Sequence, residues 1–467
     1  LKNDEYTIVP IYVEDELSPK ARDVILDVVK EKFPDREIRF ANFDKMLDRK
    51  VLVLGRVHQV GAIPPDTEIV YTYSVPQIMT KPNAATVLSA AIRRFFTEPD
   101  PIPFDGPIGG VDPTIHLTYF DFDKPTAIDI ETSGHLGKVH TPEEVELLSV
   151  AFYQEGRPPV VLVGGSSGKF TTGQLVELTE YLPKFNKAIY HNGKFDIRVL
   201  NRILCVKLTN WFDTMLAHHV LNQAAGDHKL KHLAQLYLAA PEWEQDIKKY
   251  TKGGGYYENI PKDLLIQYNG YDVYWTWKLW ELFAPQIDAD EEAQKAFLLE
   301  MSAAEFLLDV EVRGIPFDVK YAERFRRELE AKQLTHLTKM RHILGDGKFN
   351  PNSPKQIKEA YEKWAIVLAT TNEEMLNEIL ELYGSHLNIR EFTENLLSYR
   401  KATKMLSTYV KGWGNAEREG RVHPTFLVHG TSTGRLSSTG PNAQNFPRDK
   451  SVRRLVAVNE RNQYVIQ

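Results

Sequence analysis

The sequence predicts an α/β protein in three parts: a small α/β unit, a three-layer α/β body, and a mainly helical C-terminal part. Three observations carry this. At a prior of ~150 residues per domain, 467 residues make about three domains. Short β-branched runs alternate with helical periodicity as far as about residue 285. Beyond Ala284 the apolar residues recur at spacings of three and four over long stretches, the mark of amphipathic helices. Apolar residues at 42% and charged residues at 26% exclude disordered and collagen-like chains. No stretch approaches the ~18 consecutive apolar residues of a membrane span. The opening LKNDEYTIVPIYVEDEL is acidic where a signal peptide is basic. The single cysteine, Cys205, excludes a disulfide framework, zinc ribbons and iron–sulfur clusters, and suits a reducing cytoplasm.

In residues 1–118, IVPIYV and VLVLG read as short buried strands, with the amphipathic ARDVILDVVKEKF between them. The Pro- and Gly-rich run Pro99–Pro113 reads as a linker. In residues 119–285, TAIDIE and LLSVAFYQ read as paired strands and PVVLVGG as a third. GQLVELTEYLPK is helical, and KAIYHN is a strand running into the helix GKFDIRVLNRIL. In residues 286–467, AQKAFLLEMSAAEFLLDVEV is one long helix. YAERFRRELEAKQLTHLTKMRHIL is a second, with Tyr321, Phe325, Leu329, Leu337, Met340 and Leu344 on one side. Asn352-Ser353 starts the helix PKQIKEAYEKW with Pro354 in its first turn. LLSYRKATKMLSTYVKGW is a further helix, and HPTFLVHG is a strand leading into a polar loop.

The net charge of −6 hides a gradient. From His386 to Gln467 there are 13 basic and 6 acidic residues, whereas the first 385 residues carry 44 basic and 57 acidic ones. A basic end on an acidic body suggests a local phosphate-binding surface; a solvated basic face gives the same numbers.

Asp129 and Glu131 alternate on a predicted strand, so both project from one face, where they can grip a hard cation. A lone D-x-E also fits a solvated strand end. Asp121 and Asp123 read as a turn. Asn192 and Asp196 lie four apart at the start of one helix, and Tyr268 and Asp272 lie four apart on another. Both acids stand in otherwise apolar helices, where a carboxylate is costly unless paired or bound to metal. Asp129, Glu131, Asp196 and Asp272, with no His or Cys among them, make an all-oxygen site that selects magnesium or manganese. Two such ions suit phosphodiester hydrolysis, one activating water and one stabilising the leaving oxygen. Tyr268 has the reach to orient that water; it also fits a packed interface aromatic. His218 and His219 read as structural.

DIET, HNGKFD and the Y-x-x-x-D of YNGYD occur in the order found in the proofreading 3′–5′ exonuclease domain of the DnaQ-like superfamily, in its tyrosine variant. WFDTMLAHHVLN and HKLKHLAQLYL resemble that domain as it occurs in family A DNA polymerases. The resemblance implies an RNase H-like three-layer exonuclease fold with two ions (Mg²⁺ or Mn²⁺). It implies that Asp129, Glu131 and Asp272 hold the first metal, that Asp129 is shared with the second, and that Asp196 acts through its water shell. Tyr268 would position the nucleophile. Thr132 and Asn192 would meet the 3′ end of a single strand, and Tyr256 or Tyr257 would stack on the frayed base or pack as a loop aromatic. The family's bulky apolar wedge after the first motif is replaced by SGHL, so Leu136 or His135 must serve.

GTSTGRLSSTGPNAQNFP lacks the G-x-x-x-x-G-K phosphate-loop pattern. Its short polar side chains around Arg435 suit a duplex backbone and minor groove, as they suit any polar surface loop. T-x-T-G-R-L-S-S followed by P-N-x-Q-N-x-P resembles the stretch before the catalytic palm motif of family A DNA polymerases. That resemblance implies primer–template contacts from Arg435, Asn442, Gln444 and Asn445, and from Arg453 toward the incoming triphosphate. FNPNSPKQIKEAYEKW and YRKATKMLSTYVKGW resemble the family's thumb, which puts Lys401, Lys404, Thr408 and Tyr409 near the primer–template backbone. The resemblance covers about 119–467, so the third part is read as a thumb with an incomplete palm.

In that family, a segment like QYVIQ leads into the first catalytic aspartate of the palm, and this sequence stops at Gln467. Asp449 and Glu460 do not resemble metal ligands. The expectation is that this chain alone does not polymerise, and that a second polypeptide supplies the rest of palm and fingers, unless the sequence is cut there. The alternatives are a free-standing 3′–5′ exonuclease and a non-catalytic DNA-binding subunit. The expected setting is the cytoplasm of a bacterial cell or phage-infected host, with DNA as partner and no membrane.

Overall fold

The computed structural model describes residues 8–12, 19–32, 37–41, 50–54, 68–72, 88, 106–110, 116–133, 145–165, 168–223, 227–238, 240–251, 257–431 and 433–456. These fall into two compact units, Leu1–Leu308 with Val428–Leu436, and Asp309–Leu427 with Ser437–Gln467. The fold is mixed α/β followed by long helices, as the sequence predicts.

The first unit opens with β1 (Ile8–Tyr12), α1 (Pro19–Lys32), β2 (Glu37–Ala41), β3 (Lys50–Leu54) and β4 (Glu68–Thr72). The strands form a parallel sheet in the order β2-β1-β3-β4. Helix α1 buries Ala21, Ile25 and Val29, one residue per turn along one stripe.

A second sheet has the order β10-β9-β6-β7-β8-β5. Its strands are β5 (Ile108–Gly110), β6 (Thr126–Thr132), β7 (Leu147–Tyr153), β8 (Val160–Val163), β9 (Ala188–Tyr190) and β10 (Trp211–Asp213). Antiparallel pairing joins β6 to β7 and β7 to β8; the outer pairings are parallel. All seven residues of β7 are buried, because this interior strand is covered on both faces. Its helices are α2 (Thr172–Tyr181), α3 (Gly193–Leu204), α4 (Thr214–Leu221), α5 (Leu230–Leu238), α6 (Gln245–Thr251), α7 (Lys262–Ala289) and α8 (Glu291–Arg313). Helix α7 crosses β6, β7 and β8 and carries half of the site described below.

One expectation is corrected. Part of the Pro99–Pro113 run is structural, since Ile108–Gly110 forms the edge strand β5 beside β8 and Ile108 N–H donates to Pro159 O at 2.7 Å. Pro107 packs so close to α7 that a Cβ on Gly270 would lie 2.2 Å from its ring. Composition reads as a linker, whereas Pro–Gly contact here permits a close approach.

In the second unit α9 (Val319–Leu344), α10 (Pro354–Glu362), α11 (Glu373–Tyr383) and α12 (Leu387–Lys404) build two apolar cores. Asp318, Ser353 and Asn372 cap α9, α10 and α11 by accepting the N–H three residues on. Gly345, at φ 62°, ends α9 in the left-handed region. Tyr321, Phe325 and Leu329 of α9 enter one core with Leu406, Trp413 and Val452. Met340 enters the other with Phe349, Tyr361 and Phe392, against which Leu337 and Leu344 pack. The predicted stripe is thus real but serves two cores in turn. After α12 the ladder widens to a π-helix over Met405–Lys411 instead of continuing as α-helix. The unit's strands are β11 (Ile315–Pro316), β12 (Glu417–Arg418), β13 (Arg421–Val422), β14 (Thr425–Leu427) and β15 (Ser437–Thr439), the last two an antiparallel pair.

Candidate metal centre and nucleic-acid interface

Strand β6 delivers Asp129 and Glu131 to one face, and α7 brings Asp272 against them. One ligand oxygen from each lies within 4.8 Å of the others. Asp196, in the first turn of α3, is held against the same strand: its Oδ1 accepts the Ile130 N–H at 3.2 Å. So three of the four predicted acids converge, and the fourth is tethered to the strand between Asp129 and Glu131. Burial is the first cause that raises the pKa of Asp129, followed by the charges of Asp196, Asp272 and Glu131. Burial and then Asp272 raise Glu131, and burial pushes Asp196 up to about 7. Carboxyls forced together in this way, with oxygen donors only, fit a hard divalent cation.

Sequence reasoning missed the residues that hold the acids in place. Asn269 Nδ2 donates to Asp129 Oδ2 at 2.6 Å, and its own oxygen accepts from Ser149 at 2.9 Å. The indole of Trp243 donates to Asp272 Oδ1 at 2.6 Å. Lys231 Nζ lies 3.1 Å from Asp272 Oδ2 and 3.2 Å from Glu244, and donates to the Tyr268 hydroxyl. Burial works against the charge of Lys231, but Asp272, Glu244 and Glu131 outweigh it and raise its pKa. Asn269 was legible in principle, since it lies between Tyr268 and Asp272 on the same helix. Lys231 and Trp243 reach the site from 41 and 29 residues away and carried no spacing signal.

Tyr268 stands 6% exposed beside the acids, where α7 was expected to place it. Tyr257 hydrogen-bonds Tyr268, and the charge of Glu131, then burial, raise its pKa. Thr132 ends β6, half-buried, at a break in the β6–β7 register. Asn192 is exposed at φ 61°, with its N–H and that of Gly193 donating to Asp213 at 3.0 and 2.9 Å. Asp213 also caps α4. Tyr256, His135, Leu136, Glu460 and the QYVIQ segment lie outside the described residues.

His218 and His219 are both buried. His218 bonds His228 and Tyr237 at 2.8 and 3.0 Å. His219 pairs with Glu300 at 2.8 Å, an acidic partner that sequence spacing did not reveal, and meets Thr431 O at 3.3 Å.

In the C-terminal part, Lys401, Lys404, Thr408, Arg435, Asn442, Gln444 and Asn445 are exposed. Tyr409 and Asn442 also have partners within the chain. Tyr409 is 6% exposed, and its hydroxyl donates to Asn445 O at 2.9 Å, so it supports the 442–445 loop from inside. Asn442 Oδ1 accepts the N–H groups of Gln444 and Asn445 at 3.0 and 3.2 Å, which shapes the turn. Arg453 is half-buried with Nε on Pro447 O at 3.1 Å.

Among the described residues no helix is long and apolar enough to cross a membrane. The family model for DNA polymerase family A matches residues 319–467, and the model for 3′–5′ exonuclease matches 171–288. The DNA polymerase of Escherichia phage T5 is 31% identical over 307 residues, spanning 56% of this chain and 34% of that protein. DNA polymerase I of Chloroflexus aurantiacus is 29% identical, spanning 57% of this chain and 29% of its own length. That of Caldicellulosiruptor bescii is 28% identical, spanning 65% and 35%. The chain thus spans about a third of the length of these relatives. The solved POL domain of Pol1 from M. smegmatis, in complex with DNA primer-template and dNTP, aligns at a TM-score of 0.59 and 20% identity. That alignment covers 75% of this chain and 57% of that one, and shows a shared fold. The family models thus identify residues 319–467 as DNA polymerase family A sequence and residues 171–288 as a 3′–5′ exonuclease domain.

Proposed function

We propose that the site removes 3′-terminal nucleotides from DNA by metal-assisted hydrolysis. The observation that carries the reading is the convergence of Asp129, Glu131 and Asp272 beside the Tyr268 hydroxyl. The three acids would hold the cation, Asp129 would also serve a second, and Asp196 would act through a water shell. Bound divalent ions would lower the pKa of the attacking water and stabilise the leaving oxygen.

The chain's own groups supply the order. Asn269 fixes one oxygen of Asp129, and Trp243 fixes one oxygen of Asp272. Lys231 donates to the oxygen of Tyr268, and Tyr257 hydrogen-bonds the same hydroxyl, so an incoming water that takes the Tyr268 hydrogen would do so in place of Tyr257. Thr132, exposed Asn192 and the Tyr257 ring would receive the frayed 3′ nucleotide. On this reading residues 119–285 are the exonuclease domain and 286–467 the thumb with the first part of the palm. Residues 1–118 have no assigned role.

Lys401, Lys404, Thr408, Asn442, Gln444, Asn445 and Arg453 would contact primer–template DNA, with Tyr409 behind the 442–445 loop, and Arg435 of the other unit would make its own contact. DNA synthesis would require the further palm and fingers segments, whether joined to this part or supplied by a second polypeptide. The phage and bacterial relatives support a cytoplasmic setting in a bacterial cell or infected host.

The test is digestion of a 5′-labelled single strand with Mg²⁺. A ladder of products shortened from the 3′ end is expected, abolished by chelator. Release from the 5′ end, or activity that survives chelation, would overturn the proposal.

A further inference from the structure

Lys231 is the one cation placed against the acid triad among the described residues. An ammonium carries three donors, and here all three have acceptors: the Tyr268 hydroxyl, Asp272 Oδ2 at 3.1 Å and Glu244 Oε1 at 3.2 Å. The amine also lies 4.3 Å from the centre of the Tyr268 ring. Asp272 thus has both oxygens engaged, Oδ1 by the neutral indole of Trp243 and Oδ2 by a full positive charge. Glu244 differs from Asp272 in kind. It is about one-third exposed, stands outside the triad, and lies 3.6 Å from a second lysine, Lys248.

A divalent cation held by Asp129, Glu131 and Asp272 must share Asp272 with Lys231 or displace it. Like charges on one carboxylate repel strongly in a site of low polarity. An ammonium pushed off a buried carboxylate needs another partner, or it is left uncompensated. Glu244 already touches it, so a small shift of Nζ suffices.

We propose that Lys231 is a built-in counter-charge of the acid triad and that Glu244 is the carboxylate that takes it over when a divalent cation binds Asp272. This rests on the exonuclease reading and adds to it a residue pair that sets metal affinity. The exchange keeps Asp272 neutralised in the folded chain and couples ion entry to a movement of one side chain.

The experiment is Mn²⁺ titration by calorimetry, with no DNA, on the whole chain and on D272N, K231M, E244Q and K231M/E244Q. K231M is expected to bind Mn²⁺ on the order of tenfold more tightly, and E244Q several-fold more weakly. The decisive quantity is the coupling between them. If Glu244 acts by receiving Lys231, E244Q changes affinity less than twofold once Lys231 is gone. Additive effects would mean independent through-space charges and would overturn the exchange. Should K231M not fold, K231R replaces it: the guanidinium fork can hold Asp272 and Glu244 at once, so Mn²⁺ binding weakens, and unchanged or tighter binding overturns the proposal. D272N separates the two levels. Undiminished Mn²⁺ binding by D272N, or none by the parent chain, sinks the metal-site reading itself.

Discussion

The side-chain amide of Asn269 bridges two strands of one sheet: its nitrogen lies 2.6 Å from Asp129 Oδ2 on β6, and its oxygen accepts the Ser149 hydroxyl of β7 at 2.9 Å. Asn269 is fully buried, so removing the amide strands both partners. Asn269→Ala is expected to cost about 1–3 kcal/mol in urea unfolding. It should also lower exonuclease turnover, because Asp129 loses its fixed orientation. Asn269→Asp adds a carboxylate to an acid cluster and should be worse above neutral pH than below it.

The acid cluster makes stability depend on pH. Asp129, Glu131, Asp196 and Asp272 all have raised pKa values, chiefly through burial, with Asp196 at about 7. Each binds a proton more readily in the folded than in the unfolded chain. Their contribution to stability is therefore complete below the unfolded carboxyl pKa near ~4; that of Asp196 is lost as pH rises through about 7, and those of Asp129, Glu131 and Asp272 as pH rises through their own raised values. Thermal melting without divalent ions should fall between pH 5 and about 8. Mg²⁺ or Mn²⁺ should restore it, most strongly at the upper end, because ligands must be deprotonated. A melting temperature that rises over that range without ions would contradict the assignment.

Tyr268→Phe keeps the ring against Lys231 and removes the hydroxyl. Turnover on single-stranded DNA should fall about tenfold to a hundredfold, while Mn²⁺ affinity and KM change little. A loss confined to KM would instead assign Tyr268 to strand binding.

Exposed Lys401 and Lys404 should each contribute a phosphate contact. Replacing either with Ala should weaken duplex binding at low salt and reduce the slope of log K against log salt by about 1. Tyr409→Phe removes the bond to Asn445 O, so it should cost about 1 kcal/mol of stability and leave that slope unchanged. Fluorescence anisotropy at four salt concentrations distinguishes the two behaviours.

Legibility followed sequence distance. Asp129 with Glu131, and Tyr268 with Asp272, could be paired by eye because strands repeat at two and helices near four. The stripe from Tyr321 to Leu344 was visible for the same reason. Trp243 and Lys231 were not, since they meet Asp272 across 29 and 41 residues and nothing local marks the contact, whereas Asn269 stands inside the Tyr268–Asp272 motif and only its partner on β6 was hidden. His219 with Glu300 is the same case at 81 residues. Burial of Tyr409 and the inward use of the Asn442 oxygen were hidden because a resemblance transfers residue types, not the direction in which side chains face. The Pro–Gly run around β5 misled for a different reason: small residues that loosen an isolated chain also let a strand and a helix touch.

On the proposed function, Asp129 and Glu131 support 3′–5′ hydrolysis. Its most direct measurement is the Mg²⁺-dependent shortening of a labelled single strand by the parent chain and by the Asp129→Ala, Glu131→Ala double variant, each checked for folding by circular dichroism. Progressive 3′ shortening is expected from the parent, with a loss of at least about a thousandfold in the variant. Equal activity in both would contradict it.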